Sequence, residues 1–167
     1  NMEIQENLAL GLMRGKVRTL MPGITKKEKE LFREHLSRLG LGLEDRMTSK
    51  VGLLSGGQRQ SLTLLMATLK RPELLLLDEH TAALDPKTAA KVLHLTEEIT
   101  SEENLTTIMI THNMKDAIRY GNRLVMMHEG RIIYDVSGEE KKALHVDDLL
   151  KKFEETAGML NDRMLLA

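Results

Sequence analysis

Residues 74–79 read LLLLDE, a run of four leucines that ends in two adjacent carboxylates. The run is shorter than an ordinary helix and Pro72 precedes it, so we predict a buried parallel strand. In α/β proteins, ligands bind at the edge formed by the carboxyl ends of such strands. The stretch therefore predicts that Asp78 and Glu79 lie at a functional edge. An exposed acidic turn after a strand is the alternative interpretation.

The residues that follow alternate between helix and strand patterns. Asp85-Pro86 is a capping acid before a proline at the first helical position, which predicts a helix. A second buried strand is predicted over residues 106–111, then a short helix and a hairpin that turns at Glu129-Gly130. Ser137 and Glu140 have the spacing of another helix cap. This alternation indicates βαβ units and a mostly parallel sheet.

Helices are predicted upstream of the leucine run. Thr25 and Glu28 form a capping-box pattern before a stripe of apolar residues at helical spacing. His35 lies on that stripe, and we predict that it is packed in the core. A shorter apolar piece over residues 8–13 is followed by cations that are predicted to be solvated at a helix end. These cations are Arg14, Lys16 and Arg18.

Residues 54–60 read LSGGQRQ, a serine and two glycines that open another helix. Ser55 and Gln58 again have capping-box spacing. Glycines such as Gly56 and Gly57 allow a ligand to approach the backbone closely, and a helix N-terminus favours a phosphate. An ordinary capped helix start is the alternative. His112, which closes the second predicted strand, could likewise donate a hydrogen bond to a phosphate oxygen or be purely structural.

Together these patterns resemble the motifs of ABC-type ATPases, in the order and spacing of that family. Residues 54–60 resemble the signature loop, residues 74–79 the Walker B strand, residues 82–85 the D-loop, and His112 the switch histidine. The resemblance covers essentially the whole chain. It implies an α/β fold, an incomplete P-loop ATPase core with a mostly parallel sheet, preceded by an α-helical subdomain.

The resemblance implies three segments and a role for each matching residue. Residues 1–71 would be the helical subdomain with the signature, residues 72–137 the second half of the ATPase core, and residues 138–167 a helical tail. Asp78 would support Mg²⁺, Glu79 would act as the catalytic base and His112 would sense the γ-phosphate. The remaining site residues would bind ATP held by an opposite subunit or couple the two sites of the dimer: Ser55, Gly56, Gly57, Gln58 and Asp85.

Two departures from the family pattern stand out. His80 occupies the position after the glutamate where many members have proline, which could alter the local backbone or leave the chemistry unchanged. No Gly-x-x-x-x-Gly-Lys-Ser/Thr pattern occurs in the 167 residues, and Gln5 does not fit the Q-loop position. We therefore expect the chain alone to lack a tight ATP site of its own, to expose apolar strand edges and to self-associate, as a fragment of a longer subunit would.

Composition narrows the function further. Apolar residues make up 41% and charged residues 29%, a globular balance, and the absence of cysteine excludes disulfides and thiolate metal sites. A net charge of −1 and 2% aromatic residues argue against nucleic-acid binding. No apolar run is long enough to span a bilayer.

The resemblance therefore implies an ATP-hydrolysing subunit of an ABC transporter, cytoplasmic and peripheral at the inner face of the cell membrane. Such a subunit would pair with a second ATP-binding subunit and dock a membrane permease around residues 8–50. The sequence of residues 78–81, DEHT, resembles that of a bacterial group of importer subunits. Amino acids are one class of substrate that this resemblance implies. The alternative is a non-catalytic interaction module that lends its signature loop to another subunit.

Overall fold

The computed structural model describes residues 2–15 and 23–165, without the side chains of residues 156–165. The chain forms two compact units, Asn1–Ile110 and Thr111–Ala167, which we call the first and second units. The segment boundaries implied by the family resemblance stay predictions. Lys16 and Arg18, predicted to be solvated cations, lie outside the described residues.

Three helices build the core of the first unit: α1 (Ile4–Leu12), α2 (Lys26–Arg38) and α3 (Gly56–Thr68). A 3₁₀ turn, Val51–Leu53, leads into α3. Thr25 caps α2 and Ser55 caps α3 through the predicted capping boxes, which are confirmed. The fully buried members of this core are Ile4, Leu8, Phe32, Leu36, Leu43 and Leu62.

His35 differs from its prediction as a core histidine. Phe32 and Leu36 occupy the centre of the buried face of α2, whereas His35 is only half-buried. It lines a cavity of about 230 Å³ beside residues of α3 and the following helix. The prediction was wrong because an apolar stripe on a helix is wider than the strip that the neighbouring helices cover.

The first unit also contains a βαβ motif, made of β1 (Leu75–Asp78), α4 (Pro86–Glu102) and β2 (Thr107–Ile110). The two strands pair in parallel, with Leu75 opposite Thr107 and Asp78 opposite Ile110. This parallel pairing confirms the predicted connection. α3 and α4 cover one face of the pair. The buried residues that join helices and strands are Leu64, Leu75, Leu77 and Ile99.

The opposite face of the β1–β2 pair is exposed. Leu76 is 65% exposed, Ile108 54% and Ile110 55%. The prediction that both strands are fully buried is therefore wrong, because helices cover only one side of the pair. No other strand of the described residues pairs with either β1 or β2. The expected unpaired strand edges are present among the described strands, and an exposed apolar face lies beside them.

The second unit contains an antiparallel hairpin with helices around it. Its elements are α5 (Met114–Arg119), β3 (Arg123–His128), β4 (Arg131–Ser137), α6 (Gly138–Lys142) and α7 (Val146–Leu165). The predicted turn at Glu129-Gly130 is confirmed, with φ angles of 47° and 74° that suit a tight hairpin. Leu124, Val136 and Leu149 form the core of this unit.

The predicted helix cap at Ser137 is only half right. α6 does begin after Ser137, but the Ser137 side chain makes no capping hydrogen bond. Ser137 is still the last residue of β4 and pairs with Arg123, so its backbone keeps the strand conformation. Within the described residues, none of the helices combines the length and apolarity needed to cross a membrane.

Candidate functional site

The first turn of α3 lies directly against the first turn of α4. A Cβ atom added at Gly57 would lie 2.1 Å from Thr88 Cγ2, and one added at Gly56 would lie 3.1 Å from Leu84 Cδ2. Because Gly56 and Gly57 have no side chains, α3 can contact Leu84 and Thr88 at the start of α4. Sequence reasoning had related these glycines only to ligand approach, because the contact with Thr88 depends on tertiary packing.

Hydrogen bonds fix the start of α3. Ser55 Oγ accepts from the Gln58 N–H at 3.2 Å, and Gln58 Oε1 accepts from the Ser55 N–H at 3.1 Å. Because Ser55 Oγ is the acceptor in this bond, its own O–H can still donate to an anion. Ser55 and Gly56 are exposed, at a helix end where backbone N–H groups lack intrahelical acceptors. This arrangement suits a phosphate oxygen.

Asp85 begins α4 in the same neighbourhood. Its Oδ1 accepts from the Thr88 N–H at 3.1 Å, as expected of an N-cap residue. Hydrogen bonds from the Thr88 side chain and backbone hold the pKa of the Asp85 carboxyl below its usual value. The Gly57–Thr88 contact thus sets two helix N-termini side by side, and their dipoles both favour negative charge there.

Asp78 and Glu79 lie at the carboxyl end of β1, where the sequence predicted them. Asp78 is the last residue of the strand and is exposed. The Glu79 N–H donates to the Ile110 carbonyl at 3.0 Å, and the Glu79 carbonyl accepts from the Ala82 N–H at 3.0 Å. Glu79 has a φ of 42°, in the left-handed region that residues with a Cβ rarely occupy. Such strain is concentrated at functional sites.

His80 connects this turn to two helices. The Gln60 side-chain amide donates to the His80 carbonyl at 2.6 Å, and His80 Nε2 lies 3.2 Å from Thr96 Oγ1. Gln60 belongs to α3 and Thr96 to α4, so the position where many ABC ATPases have proline is held from both sides. Gln60 closes the signature-like stretch of residues 54–60, but no local pattern in the sequence predicts its bond to His80, and Thr96 lies outside every motif.

The fit to a metal ion rests on one carboxylate. Among the described residues, no group of three or more histidine, aspartate or glutamate side chains could hold a metal. Mg²⁺ usually keeps several waters and binds one or two carboxylates together with phosphate oxygens. Exposed Asp78 is compatible with that mode and not with a cage made of protein ligands alone.

The predicted site residues divide between the two units. The first unit brings the signature residues and Asp85 together, and Gln60 joins them to the turn after Glu79. His112 belongs to the second unit and is exposed at the start of it. Next to it, Thr111 Oγ1 accepts from the Asn113 N–H at 3.1 Å. The role of His112 beside a phosphate stays a prediction.

The family model and the relatives that match this chain all belong to ABC transporters or to ATP-binding proteins of transport. Residues 1–82 match the family model described as ABC transporter. A tyrosine transport ATP-binding protein of Clostridioides difficile (strain R20291) is 49% identical over 155 residues, which are 92% of this chain and 61% of that protein. The phosphonates import ATP-binding protein PhnC of Frankia casuarinae is 34% identical over 81% of this chain and 53% of its own length.

The fold is also that of solved ATP-binding cassettes. The structure of MJ1267, an ATP-binding cassette of an ABC transporter, aligns with a TM-score of 0.73 at 24% identity and covers 92% of this chain and 63% of that chain. This likeness confirms the predicted α/β fold class. The chain spans roughly half to three fifths of the length of the curated relatives named above.

Proposed function

The chain belongs to the ABC transporter family of ATP-binding proteins, and from this premise we propose that it supplies the signature, Walker B and switch residues of an ATP-hydrolysing subunit. That subunit would couple ATP hydrolysis to transmembrane transport. The observation that most supports the proposal is the close contact of Gly57 with Thr88. It aligns two helix N-termini beside Asp85, in the same unit as the carboxylates that follow β1.

Each residue has a distinct part in this proposal. ATP would supply the transferable γ-phosphoryl group, and Mg²⁺ would neutralise charge on its phosphates. The Ser55 hydroxyl and the N–H groups at the start of α3 donate hydrogen bonds to the γ-phosphate of ATP held by a second subunit. Glu79 accepts a proton from the attacking water, Asp78 would hold Mg²⁺, and His112 donates to a phosphate oxygen. Asp85 contacts the partner across the dimer.

The proposed partners follow from the same family membership. Two ATP-binding subunits would close on each other, and a membrane permease would bind the helical part of the first unit around residues 8–50. The protein would therefore reside in the cytoplasm, at the inner face of the membrane. The relative that is 49% identical is named for tyrosine transport, which supports an amino acid as the transported substrate.

The role of Glu79 can be tested by substitution. The test uses a chimeric protein in which an N-terminal segment that carries a P-loop pattern is joined ahead of residue 1, because these 167 residues lack that pattern. In that protein we expect Glu79→Gln to lower kcat for ATP hydrolysis by roughly 10²–10⁴-fold, the usual contribution of a general base. Phosphate release measured at saturating ATP reports the effect.

A matched control is available close to the same strand. Glu73→Gln removes an exposed carboxylate just ahead of β1, and we expect it to leave kcat unchanged. Retention of most activity by Glu79→Gln would refute the assignment of Glu79 as the base.

A second candidate function is a module that lends its signature loop to the ATP of another subunit, and the exposure of Ser55 and Gly56 at the start of α3 supports it. The two functions differ in what the chain does when mixed with a complete subunit whose own signature serine is replaced. Restored hydrolysis that depends on Ser55 but not on Glu79 would favour the module.

A further inference from the structure

Glu79 adopts a backbone conformation that its own residue type disfavours. Its φ of 42° lies in the left-handed region, where the Cβ atom crowds the backbone. Its N–H and carbonyl are both hydrogen-bonded, to Ile110 and Ala82. Those two bonds fix the strand end and the turn, but a disfavoured conformation persists only where the surrounding structure constrains it further. The next residue, His80, supplies such constraints.

The first constraint comes from the signature helix. Gln60 lies one turn into α3, and its Nε2 donates to the His80 carbonyl at 2.6 Å. The acceptor is a main-chain atom, so this bond restrains the path of the backbone directly after Glu79. It links α3, the helix that Ser55 caps, to the Walker B turn of the same chain.

The second constraint comes from α4, and its direction can be assigned. Thr96 Oγ1 donates its only proton to the Val92 carbonyl at 2.8 Å. Because that proton is directed to Val92, we assign the threonine oxygen as the acceptor and His80 Nε2 as the donor in their 3.2 Å contact. Thr96 is buried in α4, so this contact holds the imidazole against an ordered helix.

We propose that Gln60 and His80 are positioning residues that hold Glu79 in its left-handed conformation and thereby orient its carboxylate. The signature helix would thus control the Walker B acid of its own chain, in addition to facing the nucleotide of a partner. The catalytic consequence rests on the proposed function of Glu79. The conformation and the two hydrogen bonds do not, and they can be measured in the full chain by itself.

The first experiment uses NMR on the full chain with ¹⁵N-labelled histidine. We expect His80 to show the Nε2–H tautomer and the Glu79 three-bond couplings to report a positive φ. Thr96→Val removes the acceptor at nearly constant shape and should shift the His80 nitrogen signals, and Thr96→Ser should restore them. Combined with Gln60→Leu, Thr96→Val should move the Glu79 couplings toward ordinary negative φ values.

Thr100→Val is the matched control, because Thr100 also bonds a carbonyl of α4, that of Thr96, but has no bond to His80. It should leave the His80 and Glu79 signals in place. An Nδ1–H tautomer in the wild type, or unchanged Glu79 couplings in a folded Gln60→Leu/Thr96→Val variant, would overturn the proposal. Circular dichroism establishes that each variant is folded.

The second experiment measures hydrolysis in the P-loop-containing protein described above. Loss of one positioning hydrogen bond should lower kcat roughly three- to tenfold in Gln60→Leu and in Thr96→Val. The KM for ATP should stay the same, because neither residue belongs to the proposed nucleotide contacts. Recovery in Thr96→Ser is expected, and a rise in KM without a change in kcat would contradict a positioning role.

The two experiments separate the two proposals. If Glu79→Gln keeps its activity while the NMR results hold, the function assigned to Glu79 fails and the structural restraint stands. If Glu79→Gln is inactive but the NMR results fail, the restraint fails and the proposed function stands.

Discussion

At the scale of single residues, Gly57 has a packing role that its sequence context does not reveal. The helix start it belongs to is typical of an anion site, yet the structure fills the space beside its Cα with the Thr88 methyl group. A side chain at this position would separate α3 from α4 before it affected any ligand. Packing against Thr88 therefore requires glycine at this position independently of any ligand.

We expect Gly57→Ala to destabilise the chain by about 1–3 kcal/mol, because the added methyl would overlap Thr88 Cγ2. The better helix propensity of alanine recovers at most about 1 kcal/mol of that loss. Gly52→Ala is the control, since nothing lies within 4 Å of its added Cβ, and it should cost no stability. Urea unfolding of the two variants measures the difference, and equal unfolding midpoints would contradict the packing role.

At the scale of elements, α5 depends on a lysine from α6. Lys141 is buried, and its Nζ donates to the carbonyls of Ile118 and Tyr120 at the end of α5. Burial lowers the pKa of the Lys141 ammonium. A cation favours the C-terminal end of a helix, where carbonyls lack intrahelical donors. Lys141 thus joins two helices that the hairpin separates in sequence.

Lys141→Met keeps the aliphatic length but removes both hydrogen bonds, so we expect a loss of about 1–3 kcal/mol and faster amide exchange in α5. Lys142→Met is the neighbouring control. Lys142 is exposed and pairs with Glu139 on its own helix, so its loss should cost less than about 0.5 kcal/mol. Equal effects of the two variants would show that the buried bonds contribute little.

At the scale of the whole molecule, the exposed face of the β1–β2 pair dominates the behaviour to be expected in solution. Leu76, Ile108 and Ile110 present apolar side chains beside strand edges that no described strand pairs. Unpaired strand edges and apolar patches both promote association with another chain. The self-association expected from the sequence therefore has a defined surface.

Sedimentation velocity at micromolar concentrations should show a concentration-dependent increase in mass for the wild-type chain. Ile108→Lys places a charge on the exposed face and should shift the chain toward monomer. Leu53→Lys is the control, because Leu53 is also exposed but lies in the 3₁₀ turn before α3. A wild-type chain that stays monomeric, or equal effects of both variants, would exclude this surface.

The sequence by itself determined where α2, α3 and α4 begin, which runs are strands and which family the motifs resemble. The capping boxes at Thr25 and Ser55 join residues three apart, so local spacing is enough to predict them. The leucine run and the acids after it likewise predict β1 and the carboxylates at its end without any distant contact. Family resemblance supplied the site residues for the same reason, since each motif is a short continuous stretch.

Tertiary structure alone decided which faces of those helices and strands contact one another. Only the packing of α3 and α4 determines that one face of β1 and β2 is covered, that His35 lies at a cavity, and that Gly57 contacts Thr88. The bond from Gln60 to His80 spans 20 positions of the sequence. Short-range patterns carry the periodicity and capping of each element, but the contacts between elements depend on which faces meet when the chain folds.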